Sequence, residues 1–212
     1  MRKIIACGGV KAELEKIRKE AGENAPEVHY LRQDYHRSPE RLHEQLQKEL
    51  DQLPREYEQV VLGYGLCSNA VAKLKAPSQG LYIPRVHDCI AFYLGSREKY
   101  QEMFRKNPGT YYLTSTWINN RKDPLGQMRH EYTERVGPEM AEEAMRYEIK
   151  NYSQISFIQT PNTKPRYLEI ARENAAFFNK ELVVHQSNDA YFRKILLGHY
   201  DESAFVYIAP ND

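Results

Sequence analysis

The sequence predicts an α/β protein with a mostly parallel sheet and helices on both faces, laid out as two α/β halves around a helical middle segment. Three observations carry this. Short apolar runs alternate with longer stretches of helical periodicity, the order expected of strand and crossover helix in turn. Those runs are continuously apolar, as strands covered on both faces require. The middle of the chain keeps helical patterning and offers little that reads as strand. A single domain of 212 residues is expected. Its lobes fall at about 1–95 and 151–212, with the helical insertion at about 96–150.

Taken in order, RKIIA (Arg2 to Ala6) is the first strand, Cys7-Gly8-Gly9 the turn after it, and Lys11 to Ala21 an amphipathic helix. Val28 to Arg32 reads as a second strand. Ser38-Pro39-Glu40-Arg41 is a helix start, with serine as cap and proline in the first turn. Leu42, Leu46, Leu50 and Leu53 follow at helical spacing, and the helix stops near Pro54. VVLGYG is a third strand opening into a glycine-bounded turn, and GLYIP a fourth, ended by Pro84 because proline cannot donate to a ladder. From His87 the pattern is helical, broken at Gly95-Ser96. GTYYLTSTW begins as a short strand and then loops. Asp123 to Lys150 is helical, divided at Gly137-Pro138-Glu139. The close is a second alternating series: strands at Gln154 to Gln159, Leu182 to His185 and Ala204 to Ala209, with helices at Pro165 to Asn179 and Asp189 to Leu197.

Charge nearly cancels, 30 Lys and Arg against 29 Asp and Glu, so no global field draws nucleic acid or an anionic membrane. No apolar run approaches the roughly 18 residues of a membrane span, and the apolar run near the start is too short for a signal-peptide core. A cytoplasmic protein is expected. Three cysteines make no disulfide framework and suit a reducing compartment, where thiols bind metal or react.

Those cysteines fall at strand ends: Cys7 after the first strand, Cys67 after the third, and Cys89, with His87 two residues before it, after the fourth. In an open parallel sheet the carboxyl ends of strands are where ligands bind, so Cys7, Cys67, His87 and Cys89 form a candidate metal set. Zinc is the first expectation and iron the alternative. The bland alternative is a set of small buried thiols with a capping histidine. Asn69 and Asp88 could orient the ligands, and Arg85 and Arg97 could hold a carboxylate or phosphate. Tyr111 and Trp117 could wall a pocket or an interface between copies of the chain. Among the other histidines, His185 alone sits at a strand end. The glycines of Gly8-Gly9 and Gly63-Tyr64-Gly65 match no nucleotide-binding fingerprint and read as tight turns.

At GYGLCSNAV, PRVHDCIAFYLGSREKY and GTYYLTSTW the sequence resembles the bacterial and archaeal family catalogued as domain of unknown function 1638. The resemblance covers most of the chain. The family's first block is usually closer to G-L-C-G-N-G, so Ser68 and Ala70 depart from it and allow less backbone freedom after Cys67. The resemblance implies a shared site at Cys67, His87 and Cys89, with Cys7 near the first strand end. It also implies a setting beside corrinoid-dependent methyltransferase systems, hence a corrinoid as bound or partner-held cofactor. The expectation that follows is a metal-binding protein whose Cys/His site floors a small-molecule cleft, acting in methyl-group or corrinoid metabolism, as a metal-dependent transferase or lyase if it is an enzyme. Two alternatives stand beside it. One is a metal-free thiol enzyme using Cys67 or Cys89 with His87 as base. The other is a non-catalytic partner of a corrinoid protein or methyltransferase.

Overall fold

The computed structural model describes residues 1–161 and 163–210. The chain forms two compact units: Met1–Arg97 together with the chain from Asp189 onward, and Glu98–Asn188. The division thus differs from the serial lobes expected at 1–95 and 151–212, because the last stretch returns to the first unit and the middle builds a sheet of its own.

β1 (Arg2–Cys7) is buried from Ile4 to Cys7, consecutive residues pointing to opposite faces, so both of its faces are covered. A tight turn at Gly8–Val10 leads into α1 (Lys11–Ala21), which turns Leu14 and Ile17 inward. β2 (Glu27–Leu31) and a 3-10 turn at Gln33–Arg37 follow. The helix start read at Ser38 is present: its Oγ accepts the Arg41 N–H at 3.3 Å, and α2 (Pro39–Asp51) buries Leu42, Leu46 and Leu50. β3 (Gln59–Gly63) is buried from Val60 onward. β4 (Leu81–Pro84) is reached by a crossover, residues 64–80, that contains no helix. That is unusual for parallel strands, which a helix generally connects. The crossover is pinned to α2 instead: His43 Nδ1 lies 3.0 Å from the Ala70 carbonyl, and Gln47 bonds both the N–H and the carbonyl of Lys75. α3 (Ile90–Leu94) is buried along its whole length, and α4 (Arg97–Lys106) begins where the units divide.

The middle segment is helical apart from β5 (Thr110–Thr114), the short strand read in GTYYLTSTW. α5 (Ser115–Asn119) is capped by Thr114, and α6 (Pro124–Gln127) by Asp123, whose carboxylate accepts the Gly126 N–H at 2.7 Å. A π turn at Met128–Tyr132 joins it to α7 (Thr133–Val136), and Gly137 then separates α8 (Pro138–Glu148). β6 (Gln154–Gln159), α9 (Pro165–Phe177) and β7 (Glu181–Gln186) complete this unit, a parallel sheet in the order β5-β6-β7. Leu113, Ile155 and Phe157 pack with Ala171 and Ala175 of α9 to make its core. β7 departs from the expectation of strands covered on both faces: Val184 is exposed, as an edge strand allows.

The chain then returns to the first unit. α10 (Ala190–Leu197) buries Tyr191, Phe192, Ile195 and Leu196, with Phe192 edge-on to Tyr93 at 5.1 Å, and packs against α1 and α3. β8 (Phe205–Ile208) pairs antiparallel with β4. The first sheet therefore runs β2-β1-β3-β4-β8, parallel except at β8. From β1 the chain moves first to one side, to β2, and then to the other, to β3. The gap between the carboxyl ends of β1 and β3 is the topological switch point where open α/β sheets bind ligands.

Candidate functional site

Register places the site at this gap. Ala6 pairs with Gly63, so Cys7 and Tyr64, each the next residue, leave their strands side by side. The Cys7 thiol accepts the Gly9 N–H at 3.2 Å and lies 3.7 Å from His36 Nδ1. His36 comes from the 3-10 turn after β2, and its ring stacks on that of Tyr64 with centroids 5.8 Å apart and planes 18° from parallel. Tyr64 is 1% exposed and its hydroxyl has no hydrogen-bond partner among the described residues. A buried hydroxyl left so is costly and seldom tolerated without a reason.

Cys67 arrives from the long crossover and Cys89 from the loop after β4, and the two loops run in backbone contact. The Leu66 N–H donates to the Val86 carbonyl and the Cys67 N–H to the His87 carbonyl, each at 2.9 Å. A Cβ on Gly65 would sit 2.7 Å from the Asp88 nitrogen, so only glycine permits this approach. Cys67, Ser68 and Asn69 all hold left-handed backbone, φ 46°, 56° and 67°. Three successive non-glycine residues there are rare and cluster where function over-determines the backbone.

Electrostatics gathers these groups into one cluster. The Tyr64 hydroxyl is pushed well above its usual range by burial and then by the charges that Cys7, Cys67 and Cys89 can carry. Burial pushes the Cys7 thiol up to about 11, with the Gly9 N–H pulling back. It pushes Cys67 up to about 12, with Cys7 and Asp88 adding to the rise. Cys89 is raised well above its usual value by burial, then by Asp88, Cys7 and Cys67. Enclosure lowers His36, partly offset by its hydrogen bond to the Gln33 backbone. All three cysteines are free and buried. Cys7, Cys67 and Cys89 thus all act on one hydroxyl, that of Tyr64, with the His36 imidazole beside Cys7 and the Asp88 carboxylate raising both Cys67 and Cys89. Asp88 also accepts the Ile90 N–H at 2.9 Å, which fixes its direction. As they stand, no three His, Cys, Asp or Glu side chains among the described residues are disposed to hold a metal ion.

Of the residues singled out in the sequence, Cys7, Cys67, Cys89 and Asp88 come together. His87 does not join them: its side chain is exposed, on a separate cleft shared with Arg85. The reason is local. A His-x-Cys pair points one way only in extended backbone, and Cys89 is helical, φ −71° and ψ −9°. Asn69 is exposed, and its carbonyl closes a turn by accepting the Ala72 N–H at 3.0 Å. Tyr111 packs into the core of the second unit, edge-on to Tyr152 at 5.2 Å. Trp117 and His185 also belong to that unit, in α5 and β7. The sequence reading passed over His36 and Tyr64. Their signal was position: both follow strands that end at the same sheet edge as Cys7.

The family model described as Protein of unknown function (DUF1638) matches residues 30–196, a span that includes His36, Tyr64, Cys67, Asp88 and Cys89 and begins after Cys7. No curated protein and no solved structure matches the chain. With the model covering more than three quarters of its length, the chain belongs to the DUF1638 family.

Proposed function

We propose that this chain binds a thiophilic metal ion, zinc foremost and iron as the alternative, through Cys7, Cys67 and Cys89, with His36 as the fourth donor. The observation that carries the reading is that Cys7 and Tyr64 leave adjacent strands side by side at the switch point of a parallel sheet, where Cys7, Cys67 and Cys89 all act on a buried Tyr64 hydroxyl that has no hydrogen-bond partner among the described residues. The donor set fits in chemistry: thiolates and an imidazole are what zinc and iron select. Binding requires the cysteine side chains to turn toward a common point, since they do not now enclose one. When bound, such an ion would polarise a substrate thiol or water as a Lewis acid. The chain's own contributions are simpler. Gly65 lets the two cysteine loops touch, Asp88 fixes the Cys89 loop through the Ile90 N–H, and the buried ring of Tyr64 stacks on His36. The methyl-group and corrinoid setting comes from the family resemblance and gives a thiol-activating site a use, with a methyltransferase or corrinoid protein as partner.

A metal-free thiol enzyme is the second reading, and the contact of Cys7 with His36 at 3.7 Å favours it over the pairs with His87 first expected. It is the weaker one. Thiols pushed up to about 11 and about 12 carry little thiolate at neutral pH, and the thiolate is the nucleophile.

Elemental analysis of protein purified anaerobically without a histidine tag tests this. Near-stoichiometric zinc or iron is expected in the wild type. Cys67→Ser and Cys89→Ser should each lower it more than about tenfold while the thermal transition persists, because the sheet has a core that needs no metal staple. His36→Ala should weaken retention and His87→Ala should not. Wild-type protein without stoichiometric metal transfers the case to the thiol reading, and metal that survives both cysteine substitutions puts the site elsewhere.

A further inference from the structure

A second site lies in the first unit, on the other side of the two loops that carry Cys67 and Cys89. It is a cleft of about 410 Å³, within the range that encloses small organic ligands. One wall is the cleft-facing side of the β4–β8 pair. Ile83 pairs with Val206 and Leu81 with Ile208, so alternation turns Ile83, Val206 and Ile208 to the cleft while the Tyr82 and Tyr207 rings meet behind, tilted by 44° with centroids 4.9 Å apart. The facing wall is the helix-free crossover, contributing Leu66 and Leu74, and Leu66 is 38% exposed. Neither wall is polar.

The charges at the cleft are all of one sign. Lys73, Arg85 and Arg97 line it together with His87, and among the described residues no Asp or Glu does. Arg193, by contrast, pairs with both Glu20 and Asp189, whereas these three make no ion pair with any described residue. Arg85 is also fixed in place. Its Nε donates to the Glu202 carbonyl at 2.7 Å and to the Phe205 carbonyl at 3.0 Å, which holds the guanidinium and leaves the two terminal nitrogens without a partner among the described residues. Lys73 has left-handed backbone, φ 63°, within the same crossover. Unpaired cations converging on an apolar cleft are what an amphipathic anion requires: a paired-oxygen head for the guanidinium fork and a hydrocarbon body for the walls.

We propose that this cleft binds an organic oxyanion, a carboxylate or phosphate monoester borne on an aliphatic body, with Arg85 and Arg97 on the head and Ile83, Val206 and Ile208 against the body. The site is independent of the metal reading, because no cysteine lines it. The test is a methyl NMR titration of the full chain, following the δ1 methyl groups of Ile83 and Ile208. The probes are octanoate, octyl phosphate, octylamine and acetate. Octanoate, octyl phosphate or both should shift these methyl groups saturably, and which of the two binds tighter names the head group. Octylamine, with the wrong charge, and acetate, without the body, should not saturate. Arg97→Gln, an exposed change that leaves the fold alone, should weaken the tighter probe roughly tenfold, and Lys73→Gln by less. Absence of a saturable shift with both anions, equal binding of octylamine, or an Arg97→Gln variant that binds as wild type would overturn the proposal.

Discussion

Ser68 has a Cβ and yet holds φ 56°, between Cys67 at 46° and Asn69 at 67°. Left-handed backbone costs an L-residue about 1 kcal/mol, least for asparagine and nothing for glycine. Ser68→Gly should therefore raise the unfolding free energy by roughly 0.5–1 kcal/mol, read from urea melts, after allowing for the extra freedom glycine brings to the unfolded chain. It stands where the family's first block usually has glycine, so the variant should keep whatever the loop binds. A second residue carries a pH signature. Burial pushes Glu13 up to about 7, against the pull of its own backbone N–H, the Tyr93 hydroxyl and Lys16. Its folded value lies above the unfolded one, near 4.3, so the native state holds the extra proton between them and stability falls as pH rises from about 4.5 to about 7. The loss is on the order of 2 kcal/mol once its partial exposure is discounted. Glu13→Gln should flatten that slope, so urea melts at pH 5 and pH 8 should show the variant gaining on the wild type at the higher pH. An unchanged slope would place the cost elsewhere. At this scale the sequence displayed the thiols but not their histidine. Cys7, Cys67 and Cys89 announce themselves by type, whereas His36 and Tyr64 are recruited by register, which no local pattern records.

The crossover from β3 to β4 is the element on which both sites depend, since one side presents Cys67 and the other Leu66 and Leu74. Gly65 is its tightest point. In Gly65→Ala the new methyl would meet the Asp88 backbone at under 3 Å, and backbone cannot step aside as a side chain can. The two cysteine loops should part, at a cost of about 1–3 kcal/mol in thermal or urea unfolding and with metal retention down more than about tenfold. Retention of full metal content with lowered stability would show that the loop contact serves folding alone. Helices and strands were largely readable because each has a signal of its own: Ser38 capping α2, Pro165 opening α9, the apolar run of β3. This crossover had none. Its shape comes from bonds to α2, through His43 and Gln47, and from left-handed backbone at four non-glycine residues as well as at Gly80.

The division into units was not legible for a related reason. Alternation of strand and helix shows that sheets form, but not which strands share one, and β5, β6 and β7 pair among themselves while β8 returns to β4. That return is costly to lose. α10 contributes Phe192, Ile195 and Leu196 to the first unit's core, all fully buried. A chain ending at Asn188 should lose amide-exchange protection in β1 and β3 while β6 keeps its own, as hydrogen exchange with mass spectrometry would report. Equal protection in β1 with and without the tail would contradict the role given to α10. The same arrangement imposes a timetable on synthesis. The first unit leaves the ribosome incomplete and waits while the whole second unit is translated, an interval of roughly 5–20 s at ordinary elongation rates. Cys7, Cys67 and Cys89 all emerge before that wait begins, so the nascent chain presents three uncovered thiols to the cell's metal carriers and oxidants before α10 arrives to finish the core.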